Sequence, residues 1–415
     1  MARESIITGV DIGSNAVRVM VGQRNAVEEP LQIIGVGEVP SEGISKGVVT
    51  SIEDAVSSIS KGLEKAERMT GIPIEHAYIG IGGTHVISQD SHGVIAVSKA
   101  DGEIKEEDVE RVIEAAQAVA TPPNYEILHV IPRSFTVDDQ KGIKDPIGMS
   151  GIRLEVDAQI IQGLTAQIKN LTKSVYRTSV DIDDLVLGIL ASAEACISKR
   201  QKELGVVLVN IGSATSSLMV FEEGDVLHTA ILPIGAGHIT NDIAIGLRTS
   251  IEIAEKIKLD YGSALPKDIS KHQEIDLSNI EESEEGLVSQ KQVAEIIEAR
   301  LEEIYKMVDK ELKEIDRSGL LPAGVVLSGG GSKLPGAVEV AKRIFKLPST
   351  IGYPSEIITA IDKVKDPSFT VAVGLVLWGS QMEDKVGGRK IFSTDFSSVS
   401  KATDKMKSWF KSLMP

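Results

Sequence analysis

Short Val/Ile-rich runs separated by glycine-containing bends open the chain. Residues 6–12 and 17–21 predict the two strands of a hairpin, and 31–39 a third strand. Apolar positions then recur with helical spacing from about 51 to 69, until Gly71 and Pro73 stop the helix, and AYIGIG at 77–82 returns to a strand. Strands, a helix and another strand in that order predict a layered α/β unit. The pattern changes from 86 to 160. HGVIAVSK and EILHVIPRSFTVD are strand-like and flank a helix expected from about Glu106 to Ala120, ending before Pro122 and Pro123. This stretch reads as a small inserted α+β domain. Beyond 180, DLVLGILASAEACISKR predicts one long helix that feeds the apolar strand GVVLVNIG. Helices are expected over 234–259, 288–315 and 367–378, with an acidic, loop-rich stretch at 262–285.

One pattern repeats. IITGVDIGSNAVRVMVG and LGVVLVNIGSATSSLMVF each run from a strand through an I-G-S bend into a second strand, after Asp11 in one and Asn210 in the other. This predicts two domains of one design. Gly329, Gly330, Gly331 and Ser332 form a third glycine turn after an apolar strand. Glycine allows close backbone approach, so N–H groups and Ser or Thr hydroxyls at such turns can cradle phosphate. A tight bend alone accounts equally well for any one of them. Three in similar contexts favour a nucleotide held between two domains. Neither the Walker pattern nor a GxGxxG fingerprint is present. Asp11 carries the short carboxylate suited to ordering water around Mg²⁺.

Composition narrows the field. The 415 residues exceed one ordinary core, and the formal charge of −16 argues against a nucleic-acid partner. Cys196 is the single cysteine, which excludes an intrachain disulfide, and the seven histidines show no metal-ligand spacing. His129, in an apolar strand, reads as structural. With no charged and apolar leader after Met1, a cytoplasmic setting is expected.

Longer stretches carry a resemblance. HVIPRSFTVDDQKGIKDPIGMSGIRLE (129–155), PIGAGHITNDIAIGL (233–247), AEKIKLDYG (254–262) and VLSGGGSKLPGA (326–337) resemble the bacterial cell-division FtsA family of the actin-like ATPase superfamily. The resemblance spans essentially the whole chain. It implies a two-lobed actin-like α/β fold with an FtsA-type inserted α+β subdomain. Residues 1–85 and 161–200 would make the first lobe, with 86–160 inserted. Residues 201–232 and 305–378 would make the second lobe, and 233–304 its smaller companion. A linker at 379–400 and a helix at 401–415 would follow.

The resemblance implies ATP and Mg²⁺ as ligands. Asp11, Gly13, Ser14 and Asn15 match the first phosphate loop; Asn210, Gly212, Ser213 and Thr215 match the second; Gly329, Gly330, Gly331 and Ser332 match the adenosine side. Gly235 and Gly237 would lie near the nucleotide, and Glu255 and Lys258 beside its sugar and base. A solvated ion pair three residues apart on a helix is the simpler account of those two. Asn210 stands where relatives carry aspartate, which keeps the shape and loses the charge, so binding is implied while ATPase activity is weak or absent. No catalytic base is assignable, which counts against the alternative of a small-molecule kinase. A pilus-assembly scaffold of the same fold is the other alternative.

Two helices point to partners. Val293, Ile296, Ile297, Leu301, Ile304 and Met307 make a core-facing stripe, and Glu298, Arg300, Glu303 and Lys306 lie on the other face. By resemblance, Arg300, Glu303 and Lys306 hold the C-terminal peptide of the tubulin-like protein FtsZ, with the Arg300 fork suited to a carboxylate. At the C-terminus, Met406, Trp409, Phe410, Leu413 and Met414 share one helical face, with Lys405, Lys407 and Lys411 beside it. Such a helix can lie on anionic lipid or dock on its own body. The resemblance favours lipid at the cytoplasmic face of the cell membrane, at the division septum. It further implies self-association into actin-like filaments and recruitment of late division proteins through the inserted domain.

Overall fold

The computed structural model describes residues 5–25, 29–97, 102–118, 121–281 and 286–386. Ser5–Ile12 pairs antiparallel with Ala16–Arg24, and that strand with Leu31–Pro40. On the other side, His76–Ile81 joins Ser5–Ile12 in parallel, and Asp181–Leu187 joins His76–Ile81. Numbered in chain order, these five strands lie 3-2-1-4-5, with Ile357–Thr359 added beside Leu31–Pro40. A second sheet has the same order. Val206–Ile211, Ser216–Glu222 and Asp225–Leu232 are antiparallel, and Gly324–Ser328 and Ser349–Ile351 continue it in parallel. The strand-bend-strand repeat of the sequence is thus the first hairpin of each sheet.

Residues between 86 and 164 build a separate four-stranded sheet, in the order Val86–Ala96, Arg153–Leu164, Tyr125–Val137, Gln140–Ile143. The helix Glu106–Gln117 buries Val109, Val112, Ile113 and Ala116 against it. This unit leans on the second sheet: Ser88 Oγ donates to the Thr229 carbonyl at 2.6 Å and Arg133 Nε to the Val226 carbonyl at 3.0 Å. His129 ties it to the first sheet. Its Nε2 accepts the Leu187 N–H at 2.9 Å, and its ring meets Trp378 edge-on with centroids 6.1 Å apart. An imidazole that accepts there is neutral, so its proton sits on Nδ1.

Several expectations change. DLVLGILASAEACISKR is not one helix: Asp181–Leu187 is a strand, followed by helices Gly188–Cys196 and Lys199–Leu204. Only Val186 and Leu187 of this strand are fully buried, and the apolar residues from Leu185 onward fit a helix or a strand, so pairing with His76–Ile81 decides it. Residues 234–259 split into helices Ala236–Leu247 and Ile251–Tyr261, because Arg248 turns left-handed (φ 57°) and Ser250 caps the second helix through the Ile253 N–H. The helix Thr165–Tyr176 carries no sequence expectation. The C-terminal helix spans Thr370–Val386, so the expected linker cannot begin at 379. Gly379 is there for contact: a Cβ would fall 2.5 Å from the Tyr78 ring. The remainder of that linker, and the tail at 401–415, lie outside the described residues.

The same helix crosses Gly188–Cys196 so closely that a Cβ on Gly374 would lie 1.8 Å from the Ala191 carbonyl oxygen. Gly374→Ala is therefore expected to cost about 1–3 kcal/mol or more, read as a lowered urea midpoint. Gly82→Ala, where a Cβ meets nothing within 4 Å, should leave the midpoint unchanged. A second expectation concerns pH. Burial holds the His129 imidazole below its ordinary value, against the opposing pull of Asp184, and burial lowers His85 likewise. The unfolded chain binds these protons more readily than the folded one. Their contribution is then complete above about pH 6.5 and is lost as pH falls below it. Between pH 6.5 and 5 the urea midpoint should fall, and His129→Gln should remove part of that slope.

Candidate functional site

The three glycine turns sit at the ends of strands. In the first hairpin the Gly13 N–H donates to the Ala16 carbonyl at 3.1 Å, and in the second the Gly212 N–H donates to the Thr215 carbonyl at 2.9 Å. The two bends are the same structure. Ser14 Oγ accepts the Gly47 N–H at 3.0 Å, leaving its own proton free for a ligand, and the Asn15 carbonyl accepts the Ser41 N–H. Asp11 and Asn210 occupy equivalent positions, each one residue before the end of the first strand. Their cross-strand partners differ: Arg18 faces Asp11, whereas Ser217 faces Asn210.

That difference sets the charge beside each bend. Arg18 Nη1 is 4.0 Å from the Asp11 carboxylate and its Nη2 is 3.0 Å from Glu38. Burial pushes the Asp11 carboxyl up to about 6, and Arg18 pulls against it. In the second lobe both members of the pair are neutral. Arg18 escaped the reading of the sequence, although the hairpin register Ile12↔Val17, Asp11↔Arg18 would have placed it.

The second and third turns are packed together. Gly329 has φ 80°, and a Cβ there would lie 2.6 Å from the Ile211 carbonyl oxygen and 2.8 Å from Asn210 Oδ1. Space beside Gly330 is open, whereas Gly331 packs on Ile211. Ser332 is fully buried and its hydroxyl donates to the Gly329 carbonyl at 2.7 Å, so it holds the turn from within.

Gly235 and Gly237 lie where the helix Ala236–Leu247 meets the second turn. The Ala236 N–H donates to the Gly212 carbonyl at 2.8 Å and the Gly237 N–H to the Ser213 carbonyl at 2.7 Å. A Cβ on Gly235 would sit 2.5 Å from the Gly212 oxygen. Further along this helix, Thr240 joins Glu255 and Lys258. Lys258 Nζ donates to Glu255 Oε2 at 2.6 Å and to Thr240 Oγ1 at 2.8 Å, and the Thr240 hydroxyl also bonds Glu255. Lys258 is 7% exposed while the Glu255 side chain is 40% exposed, so the pair is half-buried with its ammonium inside. Burying an ammonium is costly unless hydrogen-bonding partners of this kind surround it.

On the helix Gln290–Glu314, Val293, Ile297, Leu301 and Ile304 are buried as the stripe requires, with Ile296 and Met307 packed at its margin. The opposite face is a charge lattice. Arg300 holds Asp242 through Nε at 2.5 Å and Nη2 at 2.9 Å, and Glu303 through Nη1 at 2.5 Å. Lys306 bonds Glu302, and Arg343 bridges Glu298 and Glu302.

Comparison with known proteins assigns this architecture. The family model "Cell division protein FtsA" matches residues 207–374, and "SHS2 domain inserted in FTSA" matches 83–162. The chain is 37% identical to the cell division protein FtsA of Pseudomonas aeruginosa over 97% of each chain. It is 38% identical to that of Bacillus subtilis over 94% of this chain and 87% of the relative, and 30% identical to that of Escherichia coli K12 over 98% and 97%. Among solved structures, the PilM-PilN type IV pilus biogenesis complex superposes with a TM-score of 0.67 at 17% identity, covering 90% of this chain and 98% of that one. MreB5 of Spiroplasma citri bound to ADP superposes with a TM-score of 0.55 at 12% identity, covering 93% and 99%. At such identities these two show the fold alone, which is actin-like. Relatives of 30% identity and above extend over almost all of this sequence and share one description, and on that ground the chain belongs to the cell-division FtsA family.

Proposed function

We propose that this chain binds ATP between its two lobes, holds the C-terminal peptide of FtsZ on the second, and attaches both to the cytoplasmic face of the cell membrane through its tail. Family membership and the paired hairpins with their third glycine turn support this reading. Neighbours of the same fold are described as bound to ADP and AMPPNP. Phosphates would meet the bends at 13–15 and 212–215, and adenosine would lie by Gly329–Gly331 and the Glu255–Lys258 pair. Among the described residues no three His, Cys, Asp or Glu side chains converge as a metal cage. A Mg²⁺ ion brought by the nucleotide would be held through water, with Asp11 the anchoring carboxylate and Asn210 offering an uncharged amide. With one carboxylate where two would order metal and water, hydrolysis is expected to be slow or absent.

Among the described residues no helix is long and apolar enough to cross a membrane. Attachment in this reading falls to Lys405, Met406, Lys407, Trp409, Phe410, Lys411, Leu413 and Met414. One short amphipathic helix binds weakly, so self-association into filaments would raise avidity by presenting many tails together. The inserted unit at 86–164 is the surface proposed for late division proteins.

Two measurements test these parts separately. Full-length protein should sediment with vesicles containing anionic lipid, and a version ending at Ser400 should remain in the supernatant. Unchanged sedimentation would remove the tail from the proposal. Gly235→Ala, which thrusts a methyl group at the Gly212 oxygen, should weaken binding of a fluorescent ATP analogue by about tenfold or more. Equal affinity would mean that the nucleotide does not depend on the second turn.

A further inference from the structure

We infer that Asp242 is an internal stand-in for a partner's acidic side chain, and that an acidic peptide reaches Arg300 only by exchanging with it. This rests on the reading that the Gln290–Glu314 face receives the FtsZ peptide. A guanidinium offers five N–H donors, and a carboxylate binds best across one of its edges. On Arg300 the Nε/Nη2 edge is wholly taken by Asp242, at 2.5 and 2.9 Å, and Nη1 is taken by Glu303. A third carboxylate added to this arrangement would leave one cation facing three anions. Simple addition is therefore opposed by charge, and exchange is the open route.

The surroundings favour exchange of Asp242 in particular. Arg300 and Asp242 are only partly buried, with side chains 25% and 26% exposed, so water can re-solvate the carboxylate as it leaves. An ion pair open to water is weaker than a buried one, so a peptide with further contacts can displace it. Two neighbouring cations, Lys306 and Arg343, already bond carboxylates of their own. Ile245 lies one turn beyond Asp242 on the same helix and is 76% exposed. It places an apolar contact beside the ion pair, as a peptide with mixed acidic and apolar side chains would use. Asp242 then sets specificity: it rejects weak or neutral ligands at Arg300 and admits those whose other contacts offset its displacement.

The test uses the full chain and a fluorescein-labelled peptide of the FtsZ C-terminus, with a second peptide in which each Asp and Glu is replaced by its amide. Binding is read by fluorescence anisotropy, and folding by thermal melts. Asp242→Asn is expected to tighten the acidic peptide by about two- to fivefold and to leave the amide peptide unchanged. Asp242→Ser serves as a second variant if the amide disturbs the fold. Arg300→Gln should weaken the acidic peptide to the same level with or without the Asp242 change. If Arg300→Gln weakens binding while Asp242→Asn and Asp242→Ser leave it equal or weaker, Asp242 merely holds Arg300 in place and the inference fails. If Arg300→Gln has no effect, the peptide-site reading itself fails.

Discussion

Close packing of the C-terminal helix Thr370–Val386 against the first lobe is the constraint on which the remaining structure depends. Val376 and Leu375 press onto the sheet at Gly22 and Gly9, where any Cβ would come within 2.4 and 2.7 Å of them. Its other side crosses the helix Gly188–Cys196 at Gly374 and Ala191. At its start, Ser192 Oγ donates to Thr370 Oγ1 at 2.9 Å and lies 3.3 Å from Ser328 Oγ, at the end of the strand Gly324–Ser328 of the second sheet. Such contacts admit no larger side chain. A core packed to this density transmits a shift instead of absorbing it.

The segment leading into that helix touches both halves of the candidate site. From the second lobe, the Gly329 N–H donates to the Pro367 carbonyl at 3.1 Å, and Lys333 pairs with Asp366 at 2.6 Å. From the first, Arg18 lies over the Phe369 ring at 5.2 Å while it faces Asp11, and Glu38 joins Arg18 to Lys363. The charges of one loop and the backbone of another are thus referred to one short stretch of chain. Within the second lobe the helix Ala236–Leu247 has a similar position: its first N–H groups hold the second turn, Thr240 holds the Glu255–Lys258 pair, and Asp242 holds Arg300.

Local patterns were legible wherever one residue's neighbours in sequence are also its neighbours in space. Both hairpins, the helix Ile52–Thr70 and the stripe of Gln290–Glu314 follow from alternation, periodicity and stop signals. The glycine turns were legible as well, because a bend between two strands announces itself. The strand Asp181–Leu187 was not, since its apolar run fits a helix equally well until the parallel partner at 76–81 is known. Gly379 misled for a related reason: glycine marks flexibility or close approach, and only the presence of Tyr78 distinguishes them.

By itself the sequence determined the duplicated hairpins, the inserted unit, the uncharged amide of Asn210 in the place equivalent to Asp11, and the family, because each is written in contiguous residues. Only the tertiary structure decided which charges answer one another. Arg18 with Phe369, Lys258 with Thr240, and Arg300 with Asp242 join residues on different elements, the last pair 58 positions apart. Coulomb attraction and hydrogen bonding act over a few ångströms, and sequence separation says little about which side chains come within that reach.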